Sequence, residues 1–316
     1  MLRAGDSSRR RSEARTTRRT GRVGRSGGAS RPDWARLSAE LTFGPALTVA
    51  ILVASVLALT VSLLVAVVAM VVVTIATARV VRWGSVRLAS RLVDGREADE
   101  REHARFVNLV EGLCTTAGVQ RPRLRVVDTP GLNLCSFGID ERDAVVVATS
   151  GLLSSLTRVE LEGVLAHELA HLKDGEMCVA TLSILFVAPL ILSAETGSRA
   201  GDVDRSAGRR GPGVSRSRSS MLAPLARWLC SRYLPPERET AADLEAVRTT
   251  RYPPALASAL KKISADSSVP GQGRLTAHLW TADPSSAEQV RSLAGGRGGF
   301  TIRPPMAERI ALLEEL

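Results

Sequence analysis

Lysine is nearly missing from this 316-residue chain. Of its 42 Lys and Arg residues, only Lys173, Lys261 and Lys262 are lysine. So one-sided a choice reads as codon usage in a GC-rich genome, not as chemistry. Aromatic residues are also scarce, at 3% of the total. None of them interleaves with the basic runs, which argues against stacking of nucleic-acid bases. The four cysteines, Cys114, Cys135, Cys178 and Cys230, are scattered and form no CxxC pair. That spacing excludes a disulfide framework and zinc held through sulfur, and it reads as free thiols in a reducing compartment. Charge is missing altogether from residues 46–78, which hold no Asp, Glu, Lys or Arg.

An apolar run of this length reads as membrane-spanning, since one helical span needs about 20 residues. With its shoulders it covers 41–81, just enough for a tight helical hairpin, although no Gly, Pro or charge marks a turn and one long tilted helix is the alternative. Both flanks are basic. Residues 1–36 hold 11 Arg against Asp6, Glu13 and Asp33, and Arg79, Arg82, Arg87, Arg91 and Arg96 follow the run. Positive residues favour the cytoplasmic side, so the two flanks argue for an even number of crossings. The segment 1–40 is too poor in apolar residues to fold alone and reads as a disordered, Arg-rich cytoplasmic tail near anionic lipid. A nucleic-acid arm is the competing reading.

What the chain does have is Leu165-Ala166-His167-Glu168-Leu169-Ala170-His171. Thr157 and Glu160 form a capping box ahead of it, Val164, Leu165, Leu169 and Leu172 give it an apolar side, and Gly175 follows as a stop. On a helix His167 and His171 share a face about 6 Å apart along the axis, so both imidazoles can reach one ion. Zinc suits two neutral imidazoles plus a carboxylate and keeps a position for water. Glu168 stands beside the first ligand as general base. Downstream, Arg238-Glu239-Thr240-Ala241-Ala242-Asp243 offers Glu239 as the third ligand. Asp243, at i+4 on the same face, can accept the free N–H of a ligand imidazole.

The pairing of His-Glu-x-x-His with Arg-Glu-x-x-Ala-Asp resembles the HtpX-like and CAAX-prenyl-protease-type membrane metalloproteases. Asn133-Leu134-Cys135-Ser136-Phe137-Gly138 is similar to that family's Asn-Ala-Phe-Ala-x-Gly segment, with Cys135 in place of the usual Phe. Thr149-Ser150-Gly151-Leu152-Leu153 is similar to its entry to the active helix. Pro304-Pro305-Met306-Ala307-Glu308-Arg309-Ile310 resembles its closing motif, with Arg303 where a His is usual. The resemblance covers residues 100–316. It implies an integral-membrane zinc metalloendopeptidase acting on polypeptides, membrane or misfolded proteins among them, in quality control. It also implies that the Asn133 segment is the sheet edge to which an extended substrate adds as a strand, with the Asn133 side chain holding substrate backbone. The competing role for Asn133 is a plain strand-end residue.

The rest of the chain reads as an α+β fold: a mostly helical zincin domain with a small sheet beside the active helix, following N-terminal transmembrane helices. An amphipathic helix is expected over 97–118 and strands over 124–127, 132–137 and 144–149. The catalytic domain divides into 82–176 and 237–316. Between them, 177–194 is apolar, 197–220 is a basic Gly/Ser-rich linker, and 221–234 reads as interfacial or re-entrant. The ligands on either side of this insert must meet at one ion, and 221–234 is too short and charged for a return span. Residues 177–194 are therefore expected to stay on the catalytic side as a buried or re-entrant helix. His278, Tyr252 and Arg303 are open candidates for stabilising an oxyanion. A catalytically silent membrane scaffold is the remaining alternative, opposed by the intact metal set.

Overall fold

The computed structural model describes residues 33–58, 63–190, 224–225, 228–272, 275–284 and 303–316. The arginine-rich stretch to residue 32, the turn of the expected hairpin and the 197–220 linker lie outside them.

Two long helices come first, α1 (Trp34–Ala58) and α2 (Leu63–Leu92). Both are long and apolar enough to cross a membrane. Leu52 and Val56 on α1, and Leu63, Leu64 and Val72 on α2, point outward and are exposed. Contiguous outward apolar surface of this kind marks a face that meets another apolar phase. Helix α1 opens at Trp34, inside the stretch expected to be disordered up to residue 40. The reason is burial: Trp34, Leu37 and Leu41 recur at helical spacing and enter the core beneath α2. Helix α2 likewise continues past residue 81, because Ser85, Ala89 and Val93 are buried along one side.

The sheet is small and mixed, in the order β1–β2–β4–β3. It comprises β1 (Arg96–Glu97), β2 (Arg123–Val127), β3 (Leu134–Phe137) and β4 (Val145–Thr149). Strands β2 and β4 are parallel, while β3 runs antiparallel to β4 with Leu134 opposite Ala148 and Phe137 opposite Val145. Pairing of Arg96 with Val126 makes 96–97 a strand, so helix α3 (Ala104–Ala117) begins later than its amphipathic pattern suggested. Period-2 alternation on β3 sends Leu134 into one core and Cys135 and Phe137 into the other.

Helix α4 (Ser150–Ser155) leaves β4 directly and leads to α5 (Arg158–Lys173). The capping box at the start of α5 is present: Thr157 N–H donates to Glu160 Oε2 at 2.8 Å, and Glu160 N–H to Thr157 Oγ1 at 3.4 Å. Gly175, at φ 74°, turns the chain sharply into α6 (Glu176–Phe186). With 11 residues α6 is about 16 Å long, well short of a ~30 Å hydrocarbon core. It is buried from Glu176 to Ile184 and packs against α1, α2 and β3. A further helical turn at 228–233 buries Cys230, Tyr233 and Leu234 in the same core, and Arg232 bonds Glu40 on α1 at 2.8 Å. Helices α7 (Glu237–Thr250), α8 (Pro253–Ala265) and α9 (Met306–Glu314) close the fold around α5.

Candidate metal centre and active site

Helix α5 is buried on nearly every side from Glu160 to Leu172, so its polar residues must be satisfied inside the protein. His167, Glu168 and His171 are 1%, 2% and 8% exposed, and Glu239 reaches them from α7 at 2%. His167 Nε2 and His171 Nε2 lie 3.2 Å apart, and His167 Nε2 lies 3.5 Å from Glu239 Oε2. Ligands about 2 Å from a common ion at a tetrahedral angle are separated by about 3.3 Å, so this donor set fits zinc in both type and spacing. His167, His171 and Glu239 are the one group found among the described residues that could hold a metal ion.

The far nitrogens of the two imidazoles are each held by a different carboxylate. His167 Nδ1 lies 2.8 Å from Asp243 Oδ1. His171 Nδ1 lies 2.9 Å from Glu176 Oε2, at the first turn of α6. Each carboxylate is in turn held by an arginine. Arg309 donates twice to Asp243, and Arg238 Nη1 lies 3.0 Å from Glu176 Oε1. Both guanidiniums also reach Glu239, Arg238 at 3.0 Å and Arg309 at 3.2 Å. Contacts of this type fix tautomer and ring orientation in metal sites.

The electrostatics follow from this arrangement. Burial pushes the Glu239 carboxyl up, but Arg238, His167 and Arg309 outweigh it and hold the group well below the usual carboxylate range. The same contest lowers Asp243, through Arg309 and His167, and Glu176, through His171 and Arg238. Burial pulls the His167 imidazole down, yet the Asp243 and Glu239 carboxylates raise it to about 9. The Glu239, Asp243 and Glu176 carboxylates are thus held ionised, and without a metal their negative potential favours a proton on His167; a bound cation would take that proton's place, since a ligating imidazole is neutral.

Glu168 faces a cavity of about 20 Å³, room for about one water. Its carboxylate is held at both ends: Ser136 Oγ on β3 donates to Oε2 at 2.5 Å, and Thr281 Oγ1 to Oε1 at 2.7 Å. Glu176, Arg238, Arg309, Ser136 and Thr281 were not singled out from the sequence. Arg238 and Arg309 did sit inside the two motifs that carried the family resemblance, and Glu176 lies five residues past His171, just beyond the glycine turn.

Other expectations fare differently. Asn133 was expected at an open substrate edge, but it is fully buried. Its Nδ2 donates to the carbonyls of Ser267 and Ala282, and its Oδ1 accepts from the backbone N–H groups of Leu134 and Ala282. An amide so committed clamps the chain's own 267–282 loop and has nothing left for a substrate. Gly131 belongs to the same seam, since a Cβ there would stand 1.8 Å from Ser268 O. Tyr252 is about half exposed at the start of α8 and does not line the cavity. His278 does line it, but its Nε2 sits between Ala180 O and Ser183 Oγ, and burial drives its pKa down to about 3. Arg303 is pinned on the carbonyls of Ala277 and Trp280, with its Nε 3.9 Å from Glu239.

Comparison with known proteins follows this geometry. Residues 100–316 match the model of peptidase family M48. Curated relatives described as protease HtpX homologs include one from Tropheryma whipplei, 37% identical over 236 residues, which span 73% of this chain and 79% of the relative. Another, from Dictyoglomus turgidum, is 34% identical over 69% of this chain and 71% of its own length. One from Bacteroides fragilis is 33% identical, covering 70% and 71% respectively.

Proposed function

The chain belongs to peptidase family M48 and is an HtpX-like peptidase, and from that premise we propose that it is a zinc-dependent endopeptidase of the cell membrane that cleaves membrane or misfolded polypeptides in quality control. The observation that carries the zinc reading is the meeting of His167 Nε2, His171 Nε2 and Glu239 Oε2 beside a buried carboxylate. A bound zinc supplies Lewis acidity and activates water for attack on a carbonyl. His167, His171 and Glu239 would hold it. Asp243 and Glu176 fix the imidazole rings, and Arg309 and Arg238 fix those carboxylates. Glu168 takes the proton of the attacking water on its carboxylate and delivers it to the departing amine nitrogen. Ser136 sets the direction of that carboxylate. Burial of His167, Glu168 and Glu239 strengthens each of these charge interactions.

The membrane reading rests on α1 and α2, and the cytoplasmic placing of the site on the arginines that flank them. The function is tested with purified full-length protein in detergent, using casein as substrate. Glu168→Gln should keep its zinc and fold but lose cleavage by about 10²-fold or more, because an amide cannot accept the proton. His167→Ala and Glu239→Ala should lose zinc as well. Cleavage at the wild-type rate by the Gln variant would remove Glu168 from its role, and wild-type protein free of zinc would remove the metal.

A further inference from the structure

Sheet β1–β2–β4–β3 ends on β3, and the outer edge of β3 is the side that faces the catalytic helix. An outer edge with unpaired backbone groups is where an extended polypeptide adds as a strand. Here the chain's own residues 280–282 lie on it. Cys135 and Trp280 form an antiparallel bridge, Thr281 N–H donates to Leu134 O at 2.8 Å, and Thr281 Oγ1 reaches the same carbonyl at 3.0 Å. The same Thr281 hydroxyl also touches Glu168 Oε1 at 2.7 Å. Leu279, Trp280 and Thr281 form one wall of the roughly 20 Å³ cavity, and Glu168 is 2% exposed behind them. The pocket is partly open to solvent, but Glu168 at its floor is almost fully buried and the docked 280–281 backbone takes the edge of β3 that an extended substrate would need. The other walls belong to helices α5, α6 and α7 and to the sheet, so 279–282 is the one wall made of a short irregular segment, although Trp280 is buried in the core.

Its docking is also imperfect. Trp280 is 1% exposed, yet its indole Nε1–H has no hydrogen-bond partner among the described residues. A buried donor left unpaired costs free energy, and that cost is borne only while the segment is docked. Anchors stand on both sides of this short piece, the His278 Nε2 contacts with Ala180 and Ser183 and the Asn133 amide on Ala282, and within it Arg303 on the Trp280 carbonyl and Arg309 on the Thr281 carbonyl must be released.

We propose that residues 279–282 are a built-in latch, a strand of the chain itself that occupies the substrate's place on β3 and ties down the Glu168 carboxylate through Thr281 until an extended polypeptide displaces it. This rests on the endopeptidase reading above. Between the anchors at His278 and Asn133, Trp280 and Thr281 swing outward, the edge of β3 is freed, and Glu168 loses one of its two hydroxyl partners. The substrate then pays for its own entry by taking over the Leu134 carbonyl. A protease so built cleaves extended, unfolded chains and spares folded ones, which offer no free strand to exchange.

A disulfide lock tests it. The Thr281 N–H to Leu134 O bond makes Cys135 and Trp280 a non-hydrogen-bonded antiparallel pair, the type with Cα atoms about 4.5 Å apart, within disulfide range. Full-length Trp280→Cys protein in detergent, oxidised with glutathione disulfide, should crosslink to Cys135 and lose casein cleavage about tenfold or more, with zinc content unchanged. Reduction with a phosphine should restore it, and the same substitution in a Cys135→Ser background should ignore oxidation. The reduced form is its own control: its zinc-dependent cleavage reports on the underlying function, and only the ratio of oxidised to reduced activity reports on the latch. Equal activity of the crosslinked and reduced forms overturns the proposal. Hydrogen exchange gives a second reading without a lock: in the Glu168→Gln protein, saturating casein should speed exchange of the Thr281 N–H, released from Leu134 O, about tenfold or more, and unchanged protection of that amide overturns the latch.

Discussion

Arg309 closes on Asp243 with two parallel hydrogen bonds, Nε to Oδ2 and Nη2 to Oδ1, each 2.7 Å long and buried from solvent. Through Asp243 it reaches the imidazole of His167, and through its Nη1 it reaches Glu239 directly. Helix α9 is thereby built into the candidate metal centre without offering a ligand. Arg309→Met should weaken zinc binding by about 10- to 100-fold, the usual effect of removing a ligand's outer partner. It should also lower stability by about 3–5 kcal/mol, since it strands a buried carboxylate. Competition against a chelator and a thermal melt measure the two. Arg309→Lys should fail as well, because an ammonium cannot reproduce the two-pronged contact. Wild-type zinc affinity in both variants would detach α9 from the site.

Glu160 gives a pH test away from the metal. Burial raises its carboxyl, but Lys262 and Ser258 on α8 and Thr157 at the cap lower it further, to about 2 from an ordinary 4.5. A depressed folded value means the contribution to stability is fully present above about pH 4.5 and fades as pH falls toward 2. Glu160→Gln should therefore melt lower than wild type at pH 7, with the gap narrowing between pH 4.5 and 2. A gap that stays constant on acidification would mean that the charge of Glu160 does nothing for α5.

Topology is open to labelling. If α5 and α7 supply the ligands of one ion they share one side of the bilayer, and α6 by itself, at 11 residues, is shorter than a span. A cysteine placed at Ser206 should resist an impermeant maleimide added outside intact cells and react once the cells are opened. The four native cysteines are buried and give little background. Labelling from outside would put the linker across the membrane and make 221–234 a return span.

Deletion of residues 1–32 should leave zinc content and casein cleavage in detergent within about twofold of wild type, since nothing there has ligand spacing. A tenfold loss would turn the tail into a working part.

The ligand helix was legible because its chemistry is local. Thr157 and Glu160 cap it three residues apart, and His167 and His171 share a face through the helical repeat alone. Glu239 and Asp243 were legible for the same reason, at i and i+4 on α7. The outer partners were not, since each is made by tertiary packing. Ser136 reaches Glu168 only because β3 lies against α5, and Arg309 reaches Asp243 across 66 residues of sequence. Asn133 kept two readings for a related reason. Its strand-end position was visible, but whether that edge was free depended on residues 267–282, whose loop has no periodic pattern to place it. The start of α1 at Trp34 escaped because a polar, Arg-rich context hid the three apolar residues that anchor it.

The place of Arg309 in the chain has a consequence for biosynthesis. The three candidate ligands are complete once Glu239 is made, but the guanidinium that contacts Asp243 and Glu239 comes 70 residues later. A polypeptide that stops between those points has all three ligands and Glu168, and still lacks the strut that orients them. Zinc would be held loosely and the rings would wander. A cut anywhere in that interval therefore separates having the candidate ligands from having them held.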